Sequence, residues 1–275
     1  MSSNQSVCEH GLTWFKALAR SEGVLAGGPR SVRVADAALG GEQARFIAVV
    51  PDAHNRFARA RCGEVGLDEA WALAVHVRHA IAADRGARRP IVAIVDVASQ
   101  AYGRQEELLG IHLACAAAAD AYASARLAGH PVIALLVGQA MSGAFLAHGY
   151  QANRILALES PQVMVHAMGK QAAARVTRRS VAELEQLGAR FAPMAYDIGS
   201  YAKLGLLHKL IQGVNADAPR PADVERVRAE LLAAIADTRA GASDLTSRLT
   251  SATAHTTRAA SIEVRRRLAE QWDAA

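Results

Sequence analysis

An unbroken apolar run, Val132–Val137, passes through Gly138 into Gln139-Ala140-Met141-Ser142-Gly143-Ala144 and then into Phe145-Leu146-Ala147. β-Branched residues and leucines without alternation read as a strand buried on both faces. A strand covered on both sides needs a helical layer on each, which makes this an α/β chain. The small residues from Gln139 to Ala144 predict a turn, and the apolar residues after them predict a buried helix. Strand, turn and helix in that order bring backbone N–H groups toward one point. The positive end of the helix dipole adds to them. Such a point holds an oxyanion, so the stretch reads as acyl chemistry.

With 275 residues the chain suffices for one large domain or two small ones. The apolar half is mostly Ala, Val, Leu and Ile, which suits helices packed on buried strands. Cys8, Cys62 and Cys115 have no CxxC or metal spacing, which points to a reducing, cytoplasmic setting. The first residues lack the basic start and apolar run of a signal peptide. Val132–Gly149 is barely long enough to span a bilayer and carries Gln139, Ser142 and His148, so no membrane span is expected. The net charge is +5, but the arginines are scattered and lack interleaved aromatics, which argues against nucleic acid. An acidic protein or a phosphate-bearing carrier suits this charge equally well. Arg56, Arg59 and Arg61 cluster in one loop and are the candidate docking patch; a solvated surface is the plainer account of them.

Periodicity places a helix over residues 9–21 and strands over Val32–Ala37 and Phe46–Val50, with Gly40-Gly41 between them. A polar loop follows, then a helix over Leu67–Ala83 and a buried strand over Pro90–Val97. One long helix is expected over Leu108–Leu127, and short strands over Arg154–Leu158 and Val163–His166. Beyond Gly169 the pattern is helical, over Val181–Phe191, Tyr196–Leu204, Ala222–Ala236 and Thr257–Trp272. The expected organisation is an N-terminal helical segment over 1–30, a core over 31–212 and a helical extension over 213–275.

Three places carry candidate chemistry. The N–H groups near Ser142, Gly143 and Ala144 suit a thioester oxygen that becomes an enolate. Glycines that merely let a helix pack close to a strand explain the same motif equally well. The strand end Asp96-Val97-Ala98-Ser99-Gln100 is the second, because ligands of α/β sheets sit beyond strand carboxyl ends. Asp96 serves there as a ligand contact or as a plain cap. Ser142 with His166 is the third, as nucleophile and base, with no G-x-S-x-G elbow and no spacing that selects Asp197 or Asp217 as orienter. There is no Walker A loop and no GxGxxG. His76 and His79 are three apart on a helix but have no further ligand at metal spacing, so no metal is expected.

The segments VRVADAALGGEQARFIAVVPDAHNRFARARCGEVGLDEAWALA (Val32–Ala74), PIVAIVDVASQAYGRQEE (Pro90–Glu107) and GQAMSGAFLAHGYQANRILALESPQVMVHAMGK (Gly138–Lys170) resemble the gamma subunit of malonate decarboxylase. The resemblance spans roughly Val32–Leu210 and implies the crotonase-type ββα-spiral fold of carboxyltransferase subunits. It implies a beta-subunit partner with a shared active site, an acyl carrier protein, and an alpha subunit that acts as acyl carrier transferase. It also implies loss of CO2 from a malonyl thioester on the carrier, leaving the acetyl thioester. No cofactor is then bound directly; the carrier presents a phosphopantetheine-type prosthetic group. Under this resemblance Gly143 and Ala144 supply the oxyanion hole beside Ser142, and Gly138, Gln139, Met141, Ala98, Ser99 and His166 surround the substrate. The same motif resembles Clp-type serine peptidases, with Ser142 as nucleophile and His166 as base, but Gly143 follows the serine one residue too early. A scaffold subunit that only holds its partner's catalytic face is the non-enzymatic alternative.

Overall fold

The computed structural model describes residues 9–19, 25, 27–84 and 86–273. The first helix, α1 (His10–Ala19), buries Trp14, Phe15 and Leu18. The last two residues of the helix expected over 9–21 lie outside the described residues, as does Cys8. Trp14 Nε1–H donates to Ala216 O at 2.9 Å and ties α1 to the C-terminal third.

Strands β1 (Val32–Leu39) and β2 (Glu42–Val49) form a hairpin. Gly40 and Gly41 turn it with φ of 62° and 87°, a conformation that matches the twist of the flanking strands and favours glycine. Then follow α2 (Leu67–Ala83), β3 (Ile91–Val97), α3 (Arg104–Leu108), α4 (Ile111–Leu127), β4 (Val132–Met141) and α5 (Ser142–Ala147). The helix expected over Leu108–Leu127 is α4, which starts three residues later because Gly110 at φ 82° precedes it; the short α3 before it is an addition. After β5 (Arg154–Leu158) and β6 (Met164–His166) come α6 (Lys170–Thr177), α7 (Val181–Arg190), α8 (Ile198–Ala202) and β7 (Lys209–Ile211). Helices α9 (Pro221–Ala240), α10 (Ala252–Thr257) and α11 (Ala259–Asp273) end the chain. The last expected helix is α11, and α6, β7 and α10 are additions to the expected elements.

Among the described residues one sheet runs β1-β2-β3-β4-β5-β7, with β6 extending the far end of β4. Only the β1–β2 pair is antiparallel. Every residue of β3 is buried, as expected for a strand covered on both faces. α9 adds Val227, Leu231, Ala234 and Ile235 to the same core, whereas α11 buries nothing. No helix among the described residues is long and apolar enough to cross a membrane.

One irregularity in this sheet positions the site. Val95 pairs with Leu136, but Val97 pairs with Ala140, so β4 spends three residues opposite Asp96 alone. This is a β-bulge. The buried Asp96 carboxylate fills it, accepting the Gln139 N–H at 2.9 Å and the Gly11 N–H at 3.2 Å. The turn expected over Gln139–Ala144 is thus corrected. The strand continues to Met141 because β6 pairs with Gln139, Ala140 and Met141, and the chain reverses only at Ser142.

Candidate active site

Ser142 opens α5 at φ 58°. A non-glycine residue in this left-handed region is uncommon and costs roughly 1–3 kcal/mol. The strain is held by well-anchored neighbours on either side, buried Met141 in its pairing with β6 and buried Ala144. The first N–H groups of a helix have no acceptor within it. That of Gly143 donates to Gln100 Oε1 at 3.0 Å. The loop after β3 and the start of α5 therefore meet, as their shared position at strand carboxyl ends leads one to expect.

Ser142, Gly143 and His166 line one cavity of about 500 Å³. The rest of its wall is largely apolar, including Phe145, Leu146, Tyr150, Val165, Met194, Leu204 and Leu206. This volume is within the range of sites for small organic ligands. His166 arrives through the β4–β6 pairing, in which it stands opposite Met141. Its ring stacks on Tyr196 with centroids 3.9 Å apart, and its Nδ1 lies 3.0 Å from Met168 O. The Tyr196 hydroxyl donates to the same carbonyl at 2.9 Å. Burial holds the His166 pKa below its ordinary value, against a smaller opposing pull from the Met168 carbonyl, so the ring is neutral at pH 7.

The other expected site residues are placed differently. Gly138 is buried against Asp96 and outside the cavity wall: a Cβ there would stand 2.1 Å from Asp96 Oδ1. Its small size is required by the bulge. Gln139 and Met141 belong to the strand end, and buried Ala144 lies outside the cavity wall. Ser99 O accepts the Val65 N–H, and neither Ala98 nor Ser99 lines the cavity; Gln100 is the residue of that loop that reaches α5. Arg56 is paired with Asp68, and Arg59 with Glu64 and Tyr102 O, while Arg61 donates to Asn55 O. These three arginines are thus each held by a bond within the chain, with the Arg56 side chain still exposed.

No carboxylate among the described residues hydrogen-bonds His166. Asp197 caps α8 through the Ser200 N–H, and Asp217 binds His10. A Ser-His-acid triad is therefore missing its third member among the described residues. His79 Nδ1 faces Arg45 Nη1 at 3.2 Å. No group of three or more metal-ligating side chains is found among the described residues.

Two residues of this site were beyond reach of the sequence reading. Gln100 belongs to a strand end, and nothing in its spacing marks it as the acceptor of Gly143. Tyr201 lines the cavity, and its buried hydroxyl has no hydrogen-bond partner among the described residues. Periodicity alone makes it an ordinary core tyrosine.

A family model described as malonate decarboxylase gamma subunit matches residues 60–272. The chain is similar to a chain of a Pseudomonas malonate decarboxylase hetero-tetramer solved with coenzyme A, at 60% identity and a TM-score of 0.91, covering 96% of this chain and 99% of that one. It is also similar to a chain of the Pseudomonas MdcD-MdcE hetero-dimer, at 57% identity and a TM-score of 0.87, with the same coverage. The malonyl-S-ACP:biotin-protein carboxyltransferase MADD of Malonomonas rubra is 36% identical over 194 residues, 68% of this chain and 66% of that protein. The chain thus spans just under two thirds of that relative. A transcarboxylase 12S chain at 21% identity, with a TM-score of 0.64 over 84% of this chain and 41% of that one, shares the carboxyltransferase fold of crotonase type.

Proposed function

The chain belongs to the malonate decarboxylase gamma-subunit family, and on that premise we propose that its cavity is one half of the site where a malonyl thioester loses CO2. The other half comes from a beta subunit, by analogy with the MdcD-MdcE hetero-dimer. The substrate is malonyl-S-acyl carrier protein, as the name of the Malonomonas relative suggests. The carrier presents it on a phosphopantetheine-type arm supplied by the carrier and not by this chain. A largely apolar cavity with Ser142 and Gly143 in its wall suits a thioester and such an arm.

Decarboxylation breaks the bond between the carboxylate carbon and C2. Its electron pair moves into the C1–C2 bond, and the thioester oxygen takes the negative charge. CO2 leaves, C2 takes a proton from water, and the acetyl thioester forms. The charge that develops on the oxygen is what the chain has to stabilise. The Gly143 N–H carries this reading: it is fixed in direction by the strained Ser142 and stands in the cavity wall. Its present acceptor, the Gln100 side chain, marks a position that accepts an oxygen. Ser142 serves through its backbone, and the absence of a carboxylate on His166 among the described residues favours this over the peptidase alternative.

The deciding experiment combines the chain with its beta subunit and follows CO2 release from malonyl-carrier, with and without avidin. Turnover that needs both subunits and ignores avidin supports the proposal. Turnover that avidin abolishes contradicts direct release and favours transfer to biotin. Labelling of Ser142 by a fluorophosphonate together with peptide hydrolysis would replace the proposal with the peptidase reading.

A further inference from the structure

A second cleft opens at the opposite end of the sheet from Ser142, where β3, β4 and β5 begin and α4 and α9 end. Its volume is about 350 Å³, and its wall includes Arg88, Arg126, His130 and Arg239. The length of β4, ten residues, separates it from Ser142 by roughly 30 Å. We infer that this cleft binds the phosphate group of a small phosphorylated molecule.

Charge is the first argument. No carboxylate lines the cleft. Arg239 is neutralised by a two-pronged pair with Glu42 at 2.7 and 2.8 Å. Arg88 and Arg126 have no such partner among the described residues. Arg126 is 8% exposed, and its Nε and Nη1 donate to Gln151 O and Ser243 O. Its Nη2 has no acceptor among the described residues. The nearby Asp244, bonded to Thr246, favours the Arg126 charge from a distance but does not line the cleft. Burial disfavours the Arg126 cation more than Asp244 supports it, and an anion from outside offsets that cost.

Geometry is the second. Arg88 is exposed at φ 48°, and its side chain makes no hydrogen bond or ion pair among the described residues; its Nη1 would lie 2.9 Å from a Cβ on Gly129, so it lies along the cleft floor. Two guanidinium groups on different elements, Arg88 before β3 and Arg126 on α4, thus line one cleft. Planar forks of this kind suit the several oxygens of a phosphate better than a single carboxylate. Nδ1 of the buried His130 lies 3.0 Å from Arg89 O, which holds the floor between them in place. The volume is at the small end of sites for organic ligands, enough for a compact phosphomonoester.

The test is isothermal titration of the full chain, alone and with its beta subunit, using ribose 5-phosphate and inorganic phosphate against chloride at matched ionic strength. Saturable binding of either phosphate is expected, with at least a tenfold loss of affinity in Arg88→Gln. This variant removes an exposed side chain without a partner and leaves the fold intact. Tighter binding of the sugar phosphate assigns an organic phosphomonoester, and equal affinity assigns the free ion. Binding that is unchanged in both Arg88→Gln and Arg126→Met, or no saturable binding of either phosphate, overturns the inference. Decarboxylase activity of Arg88→Gln is expected to equal that of the parent chain, which separates this site from the proposed catalytic one.

Discussion

Gln100 Oε1 accepts the Gly143 N–H at 3.0 Å, and this bond joins the loop after β3 to the start of α5. A thioester oxygen that takes the same donor has to replace a neutral amide oxygen. Gln100→Glu sets a charged acceptor in its place, and hydrogen bonds to ionised groups are about twice as strong. Activity of the assembled complex is therefore expected to fall at least tenfold, with assembly kept. Steady-state kinetics check this, and an undiminished rate would show that the Gly143 N–H is not used.

Gly138→Ala is expected to destabilise the chain by roughly 1–3 kcal/mol, the usual range for overpacking a filled interior. The new Cβ falls 2.1 Å from Asp96 Oδ1, so the bulge or the carboxylate must move. Urea unfolding measures the loss. The same shift displaces the β4 end that carries Ser142, so turnover is expected to fall with stability.

Acid sensitivity is expected from His148. Its ring is fully buried, with Nδ1 at 3.0 Å from the Tyr122 hydroxyl and Nε2 at 3.0 Å from Ile94 O. The neutral tautomer with hydrogen on Nε2 satisfies both. Burial pushes its pKa down to about 4, against an ordinary 6.5 in the unfolded chain. The unfolded state thus binds the proton first. The contribution is complete above pH 6.5 and is lost as pH falls toward 4, amounting to about 3 kcal/mol. Stability measured across this window is expected to fall less steeply in His148→Gln than in the parent chain.

Tyr201→Phe is expected to stabilise the free chain by about 1 kcal/mol, because it removes a buried hydroxyl without a partner. Thermal unfolding of the variant checks this. A loss of stability would show that the hydroxyl is hydrogen-bonded in solution.

Strand and helix order was legible in the sequence because it rests on patterns a few residues long. The runs Pro90–Val97 and Pro131–Val137 announce strands buried on both faces, and Gly40-Gly41 announces the hairpin. What requires a glycine at 138 is not legible in the sequence, for a physical reason. Its smallness answers a carboxylate 42 positions away, and no local pattern reports that distance. The partners of the 56–61 arginines are likewise invisible locally, since Asp68, Glu64 and Tyr102 meet Arg56 and Arg59 only once the chain is folded. Ser142, Gly143 and His166 do come together, because the β4–β6 pairing that unites them joins two segments already visible as strand ends.

The central claim is that the Gly143 N–H stabilises a developing oxyanion. Gly143→Pro removes that one hydrogen, and the complex with the beta subunit is then assayed for malonyl-carrier decarboxylation after its assembly is verified by sedimentation. The expected result is an intact complex whose turnover falls about 100- to 1,000-fold, the loss typical of one oxyanion-hole donor. An intact complex with full activity would contradict the claim and leave this subunit as a scaffold for its partner's catalytic face.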